Sequence, residues 1–189
     1  FELLQLSGAK SVLDLGCGEG KLLKLLLKDG QFQKIGGLDV AFSELQKAKE
    51  LLYLDQATPA LRERITLFQG SVTYKDARFK GYDAIALIEV IEHLDEERLP
   101  AMEKIVFGFA RPNTVVLSTP NAEYNSVFEN LTVDTFRHDD HRFEWTRKEF
   151  ENWCHKICHE FNYQVSIFPI GQTIVDLGAP SQLALFNKQ

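Results

Sequence analysis

The stretch Leu13-Asp14-Leu15-Gly16-Cys17-Gly18-Glu19-Gly20 decides the fold. It begins inside a short apolar strand, Val12–Gly16, and ends at a leucine-rich helical stretch, Lys21–Leu27. Glycines at alternate positions let the backbone turn sharply and approach a ligand closely. Strand, glycine turn and helix together read as the opening of a nucleoside-binding α/β sheet.

Outward from this turn the alternation continues. Lys34–Val40 is a second strand carrying Asp39 at its end, and Ser43–Leu54 is a helix in which Ser43 and Gln46 fit a capping box. Ile65–Gln69 and the unbroken apolar run Ala84–Val90 are further strands, the latter suited to the buried centre of a parallel sheet. Asp95 is a candidate cap for a helix reaching about Phe109, and Thr114–Ser118 is a fifth strand. Thr146 and Glu149 form a second capping box, flanked by Trp145 and Phe150 as a hydrophobic staple, for a helix running to about Phe161. Val165–Ile170 and Leu183–Phe186 have no helix between them and are expected to pair antiparallel. The expected architecture is a doubly wound α/β sheet forming one domain over residues 1–189. The stretch Asn121–Trp145 lacks periodicity, and a loop of that length in a compact domain is usually functional.

Composition narrows the function classes. A chain of 189 residues with 44% hydrophobic and 25% charged residues suits one globular domain. A formal net charge of −6 argues against a protein that coats nucleic acid by neutralising phosphates, but not against one that grips a single terminal nucleotide. No apolar run is long enough to span a membrane. Cys17, Cys154 and Cys158 form no CxxC pair and no even disulfide set, which suits a reducing, cytoplasmic setting, and Cys154 and Cys158 read as packing thiols. The chain starts at Phe1 and reads as a piece of a longer protein.

The glycine turn serves nucleosides in general. Two features favour S-adenosylmethionine over a dinucleotide. Asp14 lies inside the strand, two residues before Gly16, where it can hold a polar or cationic part of the ligand, and the third glycine comes one residue too early for a pyrophosphate loop. Asp39 is placed to reach a ribose hydroxyl pair, and Gly70-Ser71 to border an adenine.

Glu89-Val90-Ile91-Glu92-His93 follows the central strand. In a helical turn Glu89, Glu92 and His93 share one face. Two carboxylates and an imidazole suit a hard divalent cation, magnesium or manganese. A second polar cluster, Arg137-His138-Asp139-Asp140-His141-Arg142, is anchored by Phe143 and Trp145, and either His138 or His141 could complete the site. His155 and His159 fall off the apolar face of their helix and are expected in solvent.

With these residues in view, the chain resembles the small-RNA 3′-terminal 2′-O-methyltransferases, most closely their bacterial, RNA-repair branch. The likeness runs from Val12 to Phe186 and is carried by LDLGCGEG (13–20), EVIEHL (89–94), GSVTYKDARFKGYD (70–83), VVLSTPNAEYN (115–125) and above all FRHDDHRFEWTRKEF (136–150). The resemblance implies a Rossmann-like class I methyltransferase fold, with a mostly parallel seven-stranded sheet, helices on both faces and an antiparallel last strand. It implies that Glu89, Glu92, His93 and His141 ligate one metal, that Asp14 and Asp39 hold the cofactor, beside Gly16, Gly18 and Ser71 of the turns read above, and that Arg137 and His138 lie near the RNA 3′ end. It also implies a polynucleotide kinase-phosphatase-ligase partner. The competing reading is a metal-assisted O-methyltransferase of a small hydroxylated molecule. That reading expects an enclosed apolar pocket, whereas the RNA reading expects an open cleft rimmed by Arg137, Arg142 and Arg147.

Overall fold

The computed structural model describes residues 1–128 and 135–189; part of the unassigned stretch before Trp145 therefore lies outside the described residues. Seven strands form one sheet: β1 (Ser11–Leu15), β2 (Lys34–Asp39), β3 (Ile65–Gln69), β4 (Ala84–Ile88), β5 (Thr114–Pro120), β6 (Tyr163–Ile170) and β7 (Ser181–Lys188). Their order is β3-β2-β1-β4-β5-β7-β6. β1 to β5 run parallel, while β7 lies antiparallel to both β5 and β6. This is the expected class I methyltransferase arrangement. Between β1 and β4 the winding reverses, and the strand ends there form the crevice that open α/β sheets use for ligands.

Strand alternation sorts the core into two layers. Val12, Ala84, Ala86 and Val116 face one side, where they pack with Leu4, Leu23, Leu26 and Leu45 of α1 (Glu2–Leu6), α2 (Lys21–Lys28) and α3 (Phe42–Leu51). Leu13, Ile85, Leu87 and Leu117 face the other, against Met102 and against Phe150, Trp153 and Ile157. Those partners belong to two further helices. After the short α4 (Pro59–Arg64), α5 (Leu99–Glu103) continues as a π-helical stretch Lys104–Ala110, and α6 spans Arg147–Phe161. The sheet is thus covered on both faces, as parallel strands require.

The capping box on α6 forms as expected. Thr146 Oγ1 accepts from the Glu149 N–H, and the Glu149 carboxylate accepts from the Thr146 N–H at 2.8 Å. Trp145 and Phe150 meet with ring centroids 6.3 Å apart. Thr146→Ala is expected to lower stability by about 1 kcal/mol, read as a shift in the urea midpoint at unchanged slope.

Two other caps do not form. The third helix starts at Phe42 after Ala41, without a side-chain cap from Ser43. Asp39 Oδ1 takes the Ala41 N–H at 2.8 Å, so the chain enters its helix before Ser43 can act. Asp95 precedes a 3-10 turn, Glu96–Arg98, and its side chain caps nothing; its carboxylate faces Arg98 and Arg142 instead. Cys17, Cys154 and Cys158 are free thiols, the first two buried, and His155 and His159 are exposed as expected.

Candidate active site

The crevice above β1 and β4 holds a cavity of about 610 Å³, whose walls include Gly16, Gly18, Asp39, Ser71, Glu89 and His93. Asp39 organises its cofactor side. One carboxylate oxygen accepts from the Gly18 N–H at 2.9 Å, the other from Ala41, so the end of β2 clamps the glycine turn. Gly16 sits at φ +80°, and a Cβ there would come within 2.6 Å of Val90 Cγ2. Gly16→Ala is therefore expected to cost on the order of 1–3 kcal/mol and to close the crevice, checked by melting temperature together with cofactor calorimetry. Ser71 Oγ shares a hydrogen with Thr73 Oγ1 at 2.9 Å, at the adenine end expected from sequence.

Asp14 is buried within β1 and is not among the residues of the cavity wall. Burial and then the nearby charge of Asp39 push its carboxyl up to about 7. It is poised to become ionised when a positive group enters the crevice.

At the opposite wall, ligand atoms of Glu92, His93 and His141 lie within 4.8 Å of one another. Glu92 is fully buried. Its Oε2 accepts from Thr119 Oγ1 at 3.1 Å, and its Oε1 has no hydrogen-bond partner. Burial, then the charge of Glu89, drives its carboxyl up to about 8. A buried carboxylate oxygen without a partner costs free energy unless something fills the place. With two imidazoles facing it, a divalent cation fits that place.

Glu89 arrives differently from the sequence expectation. It does not share a helical turn with Glu92; it follows the last residue of β4 at φ 55°, and the 3-10 turn Ile91–His93 begins after it. Ser118 holds it there, accepting the Glu89 N–H and donating to Glu89 Oε1 at 2.8 Å. Its carboxylate stays near enough to repel that of Glu92 but lies outside the close group of three.

A methyltransferase domain family profile matches residues 2–163. The methyltransferase domain of bacterial-CtHen1-C has been solved, and this chain superposes on it with TM-score 0.90 at 51% identity, covering 99% of this chain and 93% of that one. The chain belongs to the Hen1 methyltransferase-domain family. The small RNA 2′-O-methyltransferase of Xenopus tropicalis is 41% identical over 188 residues, which is 95% of this chain and 50% of that protein. This Hen1-family chain thus spans about half the length of the curated relatives it matches. A chain of the Pnkp1/Rnl/Hen1 RNA repair complex shares the fold, with TM-score 0.70 at 22% identity and coverage of 99% of this chain and 40% of that one.

In this Hen1-family domain, the arginines expected around the cleft divide by role. Arg142 lines the cavity. Arg137 points its guanidinium inward, donating to the carbonyls of Pro180 and Asn121 and to Asn125 Oδ1, with Phe128 beneath it. Arg147 is held by Glu123 at 2.6 Å and by the Asp176 carbonyl. Neither is a free cation at the rim; each ties the 171–180 connection to the site loop. His138 is exposed, its ring centroid 5.2 Å from that of His141.

Three residues escaped the sequence reading. Ser118 and Thr119 orient the two glutamates from the end of β5, and their signal is a Ser-Thr pair closing an apolar central strand. Glu144 accepts from His141 Nδ1 at 2.6 Å, from the Arg137 N–H at 2.7 Å and from Asn125 Nδ2. Burial alone would raise Glu144, but these donors outweigh it and hold its carboxyl below the ordinary value. Its spacing of three from His141 was the available clue.

Proposed function

We propose that this chain transfers a methyl group from S-adenosylmethionine to the 2′-hydroxyl of the 3′-terminal nucleotide of a small RNA. Glu92, His93 and His141 would hold one divalent cation, magnesium or manganese, with Glu89 beside them. The observation that carries this reading is the partnerless Glu92 oxygen, converging with two imidazoles at the wall of the Gly16–Asp39 crevice.

When bound, the cation supplies Lewis acidity that lowers the pKa of a sugar hydroxyl and orients it, and the sulfonium donor supplies an electrophilic methyl group. The residues do the rest. Asp39 presents a carboxylate, already aligned by two backbone N–H groups, to a ribose diol. Asp14 offers negative charge beneath a positively charged donor. Ser118 and Thr119 keep both glutamates aimed, so little reorganisation is left for the reaction. A chain of the Pnkp1/Rnl/Hen1 complex has the same fold, and we propose a kinase-phosphatase-ligase repair protein as partner.

The test is methyl transfer to three short RNAs that differ only at the last sugar. Transfer is expected to the RNA with free 2′ and 3′ hydroxyls, none to its 2′-deoxy form, and little to its 3′-phosphate. Equal methylation of the 2′-deoxy RNA would remove the terminal 2′ oxygen as acceptor.

A further inference from the structure

Each imidazole of the candidate centre has a carboxylate beside it, but only one of them is hydrogen-bonded. His141 Nδ1 lies 2.6 Å from Glu144 Oε1 in a hydrogen bond, whereas His93 Nδ1 lies 3.2 Å from Asp140 Oδ2 at ion-pair distance only. An ionised carboxylate offers only acceptor oxygens, so His141 Nδ1 carries the hydrogen and its Nε2 keeps the lone pair. We propose, resting on the cation reading above, that Glu144 is a positioning residue that locks the His141 ring in the tautomer presenting Nε2 to the Glu92 centre. Glu144 does not touch the reacting atoms.

The two contacts differ in kind. His141 and Glu144 are shut away, with side chains 3% and 1% exposed. Glu144 receives two further donors, Asn125 and the Arg137 N–H, so its oxygens cannot swing away from His141. His93 and Asp140 are 38% and 72% exposed, and Asp140 lines the crevice itself. The segment bearing both carboxylates is bolted to the glutamate turn, because the Arg142 N–H donates to the Glu92 carbonyl at 2.7 Å. The loop therefore sets the orientation of His141 tightly through Glu144, while Asp140 stands beside His93 only at ion-pair distance. Outer partners of this type typically contribute ten- to hundredfold to metal affinity, and solvent screening makes an exposed pair worth less.

The experiment reads imidazole tautomers by nitrogen NMR in the whole chain without added cation, at a pH where the rings are neutral, and then manganese affinity by calorimetry. In the wild type, His141 is expected in the Nδ1–H form. Glu144→Gln is expected to mix the tautomers of His141 alone and to weaken manganese binding about ten- to hundredfold. Glu144→Asp retains the charge at shorter reach and is expected to fall between, which separates lost positioning from lost folding. Asp140→Asn is expected to leave the His141 tautomer unchanged. An Nε2–H His141 ring in the wild type overturns the proposal, as does a Glu144→Gln chain with unchanged nitrogen shifts and unchanged affinity. Correct tautomers in a wild-type chain that binds no manganese would leave the positioning intact and sink the cation reading instead.

Discussion

Glu92→Gln is expected to abolish divalent-cation binding and with it methyl transfer, a loss exceeding the ten- to hundredfold typical of removing an outer partner of a ligand. The substitution keeps the shape of the side chain and removes the charge that an ion needs at a buried carboxylate oxygen without a partner. Misfolding would not explain the loss, because the cation-free variant is expected to be more stable than the wild type above neutral pH. A carboxylate raised to about 8 by burial and by Glu89 is a destabilising charge there, and glutamine relieves it. Manganese calorimetry and thermal melting on the same preparation check both halves. A glutamine variant that binds manganese as tightly as wild type would remove Glu92 from the centre.

The second large effect is on pH. A cation must displace the Glu92 proton, so affinity is expected to rise by about tenfold per pH unit below about 8 and to level above it. Stability of the ligand-free chain is expected to move the other way. Asp14 and Glu92 have folded values raised to about 7 and about 8, from ordinary values of 3.8 and 4.5. The folded chain then holds protons that the unfolded chain has released. Their contribution is complete below the ordinary values and is lost as pH climbs through 7 and 8. Asp14→Asn should remove the share of this decline that ends near pH 7, and Glu92→Gln the share that ends near pH 8, in denaturant midpoints measured across pH. A stability curve of unchanged shape in both variants would show that neither carboxyl is shifted.

The parts of this protein readable from sequence are those where local chemistry and tertiary packing agree. The LDLGCGEG turn, the apolar β4 and the Thr146 capping box each specify their structure within a few residues, and each forms as read. Failures occur where a distant group wins. Ser43 loses its cap to Asp39, which already holds Ala41 and Gly18. Glu89 leaves the helical register because Ser118, on the neighbouring strand, anchors both its N–H and its carboxylate. A left-handed glutamate at a strand end carries a local backbone cost, and such costs collect at functional sites. Arg137 is expected from sequence at the rim of the cleft, but carbonyls of Asn121 and Pro180 occupy its guanidinium. The joining of Glu92 to His141, some fifty residues on, follows from loop closure over β4 and β5 and is not visible in either segment alone.

No described helix is long and apolar enough to cross a membrane. The candidate chemistry is concentrated at the carboxyl ends of β1, β2, β4 and β5, with the loop before α6 folded over it. The central claim is that Glu92, His93 and His141 gather one cation at that point. Manganese electron paramagnetic resonance on the whole chain tests this most directly. The account predicts one manganese per chain with nitrogen coupling from two imidazoles, reduced to one in His141→Ala and absent in Glu92→Gln. A bound manganese without nitrogen coupling, or full methyl transfer in excess EDTA, would contradict it.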